Sequence, residues 1–162
     1  MNKKPKNSTS NSIIAVNKKA RFDYSIEKTF EAGLILQGWE VKSLRAKKIQ
    51  IRDSYIIFEK NSAKAIGLLI NPLQSASTHI QVTPSRSRLI LLHKKEIDTL
   101  RGLVERKGMT IVVLSIYWKK NHIKLELGVG KGKKLYDKRA AEKAKDWARE
   151  KNRLVKLNRT NL

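Results

Sequence analysis

Cysteine is absent from this 162-residue chain, which excludes a disulfide framework and any thiolate metal site. Histidine is scarce, and His79, His93 and His122 are too far apart to form a metal-ligand spacing. No apolar run approaches the ~18 residues of a membrane span. Met1 to Asn11 lacks the apolar segment of a secretory signal, so the cytoplasm is the expected location. Catalytic motifs are missing as well. No serine sits in a G-x-S-x-G elbow. Gly128-Val129-Gly130-Lys131-Gly132-Lys133-Lys134 is not a P-loop, because no Ser or Thr follows its lysines to hold magnesium. The carboxylates are dispersed and mostly lie beside Lys or Arg, which suits ion pairing better than acid/base work. No enzymatic activity, metal or cofactor is expected.

Negative charge is the other deficit. Fourteen Asp and Glu stand against 36 Lys and Arg, a net charge of +22. Such a surplus repels itself and is usually kept because a polyanion neutralises it. Nucleic acid, an anionic membrane surface and an acidic protein all fit that description. Residues 1–21 carry six basic and no acidic side chains, and residues 131–162 carry twelve basic and four acidic. The intervening body has a net charge of +8. Three regions are therefore expected: a disordered basic arm over 1–12, a folded domain over 13–130 and a basic tail over 131–162. Basic termini on a folded body commonly grip phosphates, although solvated tails that only aid solubility have the same composition.

The body reads mainly as strands. Tyr24, Ile26, Phe30, Ala32, Leu34 and Leu36 alternate with polar residues at the period of a half-buried strand, and Gly33 offers a bend or bulge within it. Trp39 to Lys47 suits a short helix. Asp53–Glu59 and Ala63–Ile70 form one hairpin around Lys60-Asn61-Ser62, and Thr110–Trp118 and Ile123–Val129 form a second around residues 119–122. Lys94–Lys107 reads as a helix with an Ile97, Leu100 and Val104 stripe, stopped by Gly108. Residues 71–88 read as a loop without a ligand cluster. Antiparallel strands, one interposed helix and no βαβ alternation predict a mainly β fold, a small closed barrel of the OB type with flanking helices. Function then falls to its outer face, where Glu31, Lys42, Arg45, Lys119, Lys120 and Lys124 make a mixed, mainly basic surface, and to the arms.

From Lys138 the tail is rich in helix formers, with opposite charges at Lys138–Glu142, Glu142–Lys145 and Asp146–Arg149. Its apolar content is low. The expectation is a segment disordered alone and helical along RNA, its cations on phosphates and Tyr136 and Trp147 stacking on bases. A helix packed permanently on the barrel is the competing picture.

Asn17-Lys18-Lys19-Ala20-Arg21-Phe22-Asp23-Tyr24, Thr29-Phe30-Glu31-Ala32-Gly33, Leu36-Gln37-Gly38 and Glu40-Val41-Lys42-Ser43-Leu44-Arg45 occur in order. Leu91-Leu92-His93-Lys94-Lys95-Glu96-Ile97, Lys124-Leu125-Glu126-Leu127-Gly128 and Gly132-Lys133-Lys134-Leu135-Tyr136-Asp137-Lys138-Arg139 follow. In these motifs the chain resembles the SmpB, or SsrA-binding protein, family. Trp39 departs from it, standing where many members have a small residue. The resemblance implies an OB-type barrel that binds the tRNA-like domain of transfer-messenger RNA as a monomer in a 1:1 complex and brings it to stalled ribosomes. It implies an RNA face at Asn17, Glu31, Leu91 and Lys124, joined by the cations Lys18, Lys19 and Arg45. It further implies a tail, Gly132, Lys133, Lys134, Tyr136, Asp137, Lys138 and Arg139, that fills the vacant decoding centre of the small subunit and the mRNA channel. A general binder of single-stranded RNA or of ribosomes would share barrel, charge and tail, and would differ in lacking preference for a folded tRNA-like elbow.

Overall fold

The computed structural model describes residues 12–74 and 81–160, with side chains through residue 156. Most of the expected N-terminal arm (1–11) and residues 75–80 of the expected loop lie outside the described residues. The chain forms two compact units, 1–131 and 132–162.

In the first unit the order is β1 (Ser12–Val16), α1 (Lys18–Asp23), β2 (Tyr24–Leu34), α2 (Gly38–Arg45), β3 (Ile49–Gln50), β4 (Tyr55–Glu59), β5 (Ser62–Ile66), β6 (Leu69–Ile70), β7 (Arg88–Leu91), α3 (Lys94–Lys107), β8 (Thr110–Lys119) and β9 (His122–Gly132). The main sheet runs β1-β8-β4-β5-β7-β2-β9, and a further β8–β9 pairing closes β8, β4, β5, β7, β2 and β9 into a ring. The pairs with a resolved register are antiparallel. This is the mainly β, antiparallel architecture with flanking helices that the pattern predicts. Ser12, assigned by sequence to the arm, instead begins β1 opposite Trp118, because the apolar run Ile13–Val16 finds a partner strand in β8.

Burial explains the sequence patterns. Ile123, Leu125, Leu127 and Val129 of β9 all face the core, as their alternation requires. β8 does not alternate, since Ile111, Val112, Val113 and Leu114 are all buried. Its inward residues join the main core, while Val112 and Leu114 pack with Ala20 of α1 in a smaller cluster. A register shift between Val113 and Ser115 marks a bulge at Leu114. The hairpin turns at Lys120 and Asn121, both at positive φ, as a two-residue turn between twisted strands requires. α3 has the expected limits and ends on Gly108 in the left-handed region (φ 61°). Ala63–Ile70 is not one strand. It breaks at Gly67, whose φ of 75° separates β5 from β6.

Two buried polar clusters pin this core. Asn17, 2% exposed, caps α1 by accepting from the Ala20 N–H (2.9 Å). Its Nδ2 lies within 2.8, 3.1 and 3.0 Å of the carbonyls of Ile51, Arg52 and Val113. The second cluster lies inside the segment read as a loop. Arg88 opens β7 with no exposed side-chain surface, and donates to the carbonyls of Leu68 (2.7 Å), Arg86 (2.9 Å) and Pro84 (2.9 Å). Its Nε donates to Glu40 of α2 (2.8 Å), which is equally buried and also receives two bonds from Arg86 (2.9 and 2.6 Å) and one from the Gln37 N–H (2.7 Å). Burial alone would raise the Glu40 pKa, but the bonds from Arg86, Gln37 and Arg88 outweigh it and hold the carboxyl below its ordinary value. Trp39 is buried beside this cluster and donates its indole N–H to Gln37 Oε1 (2.7 Å).

The second unit contains α4 (Leu135–Thr160), a helix of 26 residues. It starts at Leu135, three residues before the helix formers that predicted it, and the Lys138 N–H bonds the Lys134 carbonyl (3.1 Å). Arg149 pairs with Asp146 at 3.7 Å, one of the expected i,i+3 pairs. No helix among the described residues is long and apolar enough to cross a membrane.

Candidate nucleic-acid interface

The expected face divides by geometry. Glu31, Leu91 and Lys124 come from three different strands, β2, β7 and β9, yet line one hollow of about 450 Å³ with Gly33, Leu92, His93 and Glu96. Gly33 pairs with Leu91 across the β2–β7 ladder, and a Cβ there would lie 3.1 Å from the Leu91 Cβ. Its missing side chain lets Leu91 stand against the sheet while remaining 58% exposed. His93 is the N-cap residue of α3, and its N–H donates to Glu96 Oε2 (2.9 Å), so the start of α3 forms one wall. His93 and Glu96 were not singled out from the sequence, although the H-x-x-E spacing before an apolar stripe carries the signal.

Glu31 is a held anion. Lys119 Nζ contacts both its oxygens (2.9 and 2.8 Å), and the Tyr117 hydroxyl donates to Oε2. The Lys119 and then the Tyr117 hydrogen bond hold the Glu31 carboxyl below its ordinary pKa. Burial and the bond to Glu31 push the Tyr117 phenol up, so it stays protonated and donates. Tyr117 lies directly opposite Lys124 in the β8–β9 ladder, on the same sheet face.

Asn17 departs from expectation. Its side chain is buried and its polar atoms are committed to the protein as the cap of α1. Lys18 and Lys19 line a separate hollow of about 510 Å³ with Ala15, Val16, Asn17 and the stretch Ile49–Arg52, and Lys19 pairs with Asp53 (2.6 Å). Arg45, at the end of α2, lies over the Trp118 ring, 5.9 Å from its centre. The structure thus brings together Glu31, Leu91 and Lys124, and does not bring Lys18, Lys19 or Arg45 into their hollow.

In the tail, Gly132 and Lys134 are exposed, Lys133 is half-buried, and Asp137 and Lys138 are half-buried in the first turns of α4. Tyr136 is 70% and Trp147 78% exposed, and Arg139 is exposed. A hydrogen bond with Asp137 raises the Tyr136 pKa. Large aromatic rings on a basic helix are available stacking platforms. Among the described residues no group of three or more His, Asp or Glu is placed to hold a metal ion.

The profile of a family described as SmpB protein matches residues 14–157. The chain belongs to the SmpB family. The SsrA-binding protein of Chromohalobacter salexigens is 54% identical over 155 residues, covering 96% of this chain and 99% of that one. That of Alkalilimnicola ehrlichii is 50% identical over 151 residues, 93% and 94% of the two chains. Among solved structures, a chain from the one described as "tmRNA-SmpB: a journey to the center of the bacterial ribosome" is 43% identical, with a TM-score of 0.62 over 75% of this chain and 85% of that chain. SmpB family membership agrees with an RNA-facing surface and with the motifs that span the barrel and the start of the tail.

Proposed function

We propose that the protein binds the tRNA-like domain of transfer-messenger RNA and delivers it to stalled ribosomes for trans-translation, catalysing no reaction itself. The convergence of Glu31, Leu91 and Lys124 on one hollow carries this reading. A carboxylate acceptor, an exposed aliphatic surface and a cation together suit unstacked bases beside a phosphate, as in a folded RNA loop, better than a bare phosphate track. The names of the relatives and the ribosomal setting of the structural neighbour support the same conclusion.

In this reading the domain of residues 12–130 holds the RNA as a monomer in a 1:1 complex, in the cytoplasm, and the 1–11 arm adds charge. The tail over 131–162 occupies the vacant decoding centre and mRNA channel. There Gly132, Lys133, Lys134, Asp137, Lys138 and Arg139 face ribosomal RNA, and Tyr136 stacks. Lys18, Lys19 and Arg45 provide phosphate contacts beside the hollow, and Asn17 supports them from within.

A competition titration at fixed salt tests the reading. The protein, held on a labelled tRNA-like domain, is challenged with unlabelled copies of that RNA and with an unstructured strand of equal length. Strong preference for the folded RNA is expected. Equal competition by both would favour a general single-strand binder.

A further inference from the structure

Glu31 is an unexpected residue on the RNA face of a chain with net charge +22. Phosphate oxygens offer it no donor, which leaves the ribose 2′-hydroxyls and the amino and imino groups of bases, and the exposed aliphatic surface of Leu91 beside it favours an unstacked base. A base edge presents those donors in a fixed plane, and a freely rotating carboxylate would have to be ordered at the moment of binding. The structure shows it already ordered.

We propose that Tyr117 and Lys119 are positioning residues for RNA recognition: together they fix the Glu31 carboxylate so that it meets the donor edge of an unstacked base as a pre-set acceptor. This rests on the transfer-messenger RNA reading and adds two residues to it. Lys119 spans both carboxylate oxygens and Tyr117 donates to one of them, so about three of roughly four acceptor positions are used. What remains is a limited set of directions open to a ligand. The two donors come from the strand that pairs with β9, and the Tyr117–Lys124 register fixes the distance between acceptor and cation in the hollow. Because Glu31 forms a wall both of this hollow and of a neighbouring one that contains Tyr117, Ser115 and Phe30, the Tyr117 hydroxyl approaches from outside the contact surface, and neither supporting side chain lines the hollow itself.

The test uses the full chain carrying Tyr117→Phe, Lys119→Met, Lys119→Arg, Glu31→Gln or Glu31→Gln with Tyr117→Phe. Each is titrated against the tRNA-like domain and against an unstructured strand, over a salt series. Tyr117→Phe should weaken the folded RNA about 3–10-fold, the scale of one hydrogen bond to a charged group acting indirectly. It should have no further effect once Glu31→Gln is present, and should change neither the affinity for the unstructured strand nor the thermal midpoint. Lys119→Met should weaken binding without changing the salt slope, and Lys119→Arg should restore it. A phosphate contact by Lys119 would instead lower the slope by about one counterion. Wild-type affinity in Tyr117→Phe, additivity with Glu31→Gln, or a slope change in Lys119→Met would overturn the proposal. A wild-type protein with no preference for folded RNA would overturn the underlying reading as well, and is seen before any variant is compared.

Discussion

Changing Glu40 to Gln removes one charge from a place where nothing else can replace it. Arg88 has no exposed side-chain surface, and Glu40 is its counter-ion. The three carbonyls of Leu68, Pro84 and Arg86 would still accept from its guanidinium, so the hydrogen bonds survive better than the charge balance. Removing one partner of a buried pair typically costs about 3–5 kcal/mol. Against a total stability of roughly 5–15 kcal/mol, that is a large fraction. Arg86→Met should cost less, about 1–2 kcal/mol, because its side chain is partly exposed and Glu40 keeps Arg88 and the Gln37 N–H. Urea unfolding followed by tryptophan fluorescence, to which buried Trp39 contributes, gives both values. The pH dependence is a second check. The Glu40 pKa is depressed in the folded state, so its contribution is present above the ordinary glutamate value of 4.5 and is lost as pH falls through the lower, folded value. Wild type and Glu40→Gln should therefore differ most at neutral pH and converge in acid. A Glu40→Gln protein within 1 kcal/mol of wild type by the same assay (about the scale of an ordinary surface change) would refute the reasoning.

Asn17→Ala loses a helix cap and leaves carbonyls of Ile51, Arg52 and Val113 without their partner, so it should cost about 2–4 kcal/mol in chemical denaturation, and where the variant is folded it should weaken RNA binding only through Lys18 and Lys19, less than Lys124→Ala does. Lys124→Ala should weaken RNA binding and lower the salt slope by about one counterion, measured by titration over a salt series. Gly33→Val places branched carbon where a Cβ already comes within 3.1 Å of Leu91, and should reduce RNA affinity through displacement of Leu91. A crystal structure of that variant, or a binding titration, checks it.

Elements with local causes were legible in the sequence. The limits of α3 follow from an apolar stripe and a terminal glycine, and the β8–β9 hairpin follows from clean alternation in its return strand. Residues with distant causes were not. Asn17 sits in a basic, polar-looking segment, and its burial depends on carbonyls 34 and 96 positions away. Arg88 closes a loop only because Glu40, 48 positions earlier, is waiting in α2. α1 escaped notice because Ala20 is its single fully buried residue, which leaves almost no helical periodicity to detect. The convergence of Glu31, Leu91 and Lys124 likewise has no local signal, since it is set by the strand order. Family motifs named these three together with Asn17. Only the coordinates separate a surface acceptor from a buried cap.

Truncation after Gly130 tests whether charge and shape serve different tasks. The tail over 131–162 carries +8 of the +22, so a purely electrostatic binder would lose heavily without it. In the first unit, however, carboxylates already hold cations: Asp53 on Lys19, Glu126 on Arg21, Glu59 on Lys64, Glu40 on Arg86 and Arg88, and Glu31 on Lys119. These six cations are held locally, and the proposed affinity of the body depends on the placed contacts of the hollow. The tail is a helix with exposed Tyr136, Trp147, Leu154 and Val155, a surface of charge and large apolar side chains. The truncated protein should keep its affinity for the tRNA-like domain within about tenfold at moderate salt, with a flatter salt dependence, and should fail to rescue stalled ribosomes. Changing Asp137, Lys138 and Arg139 together to Ala removes only one net positive charge and should still impair rescue in a reconstituted translation assay. A fall in RNA affinity in proportion to the charge removed would show that the tail and the barrel bind the same RNA by the same means.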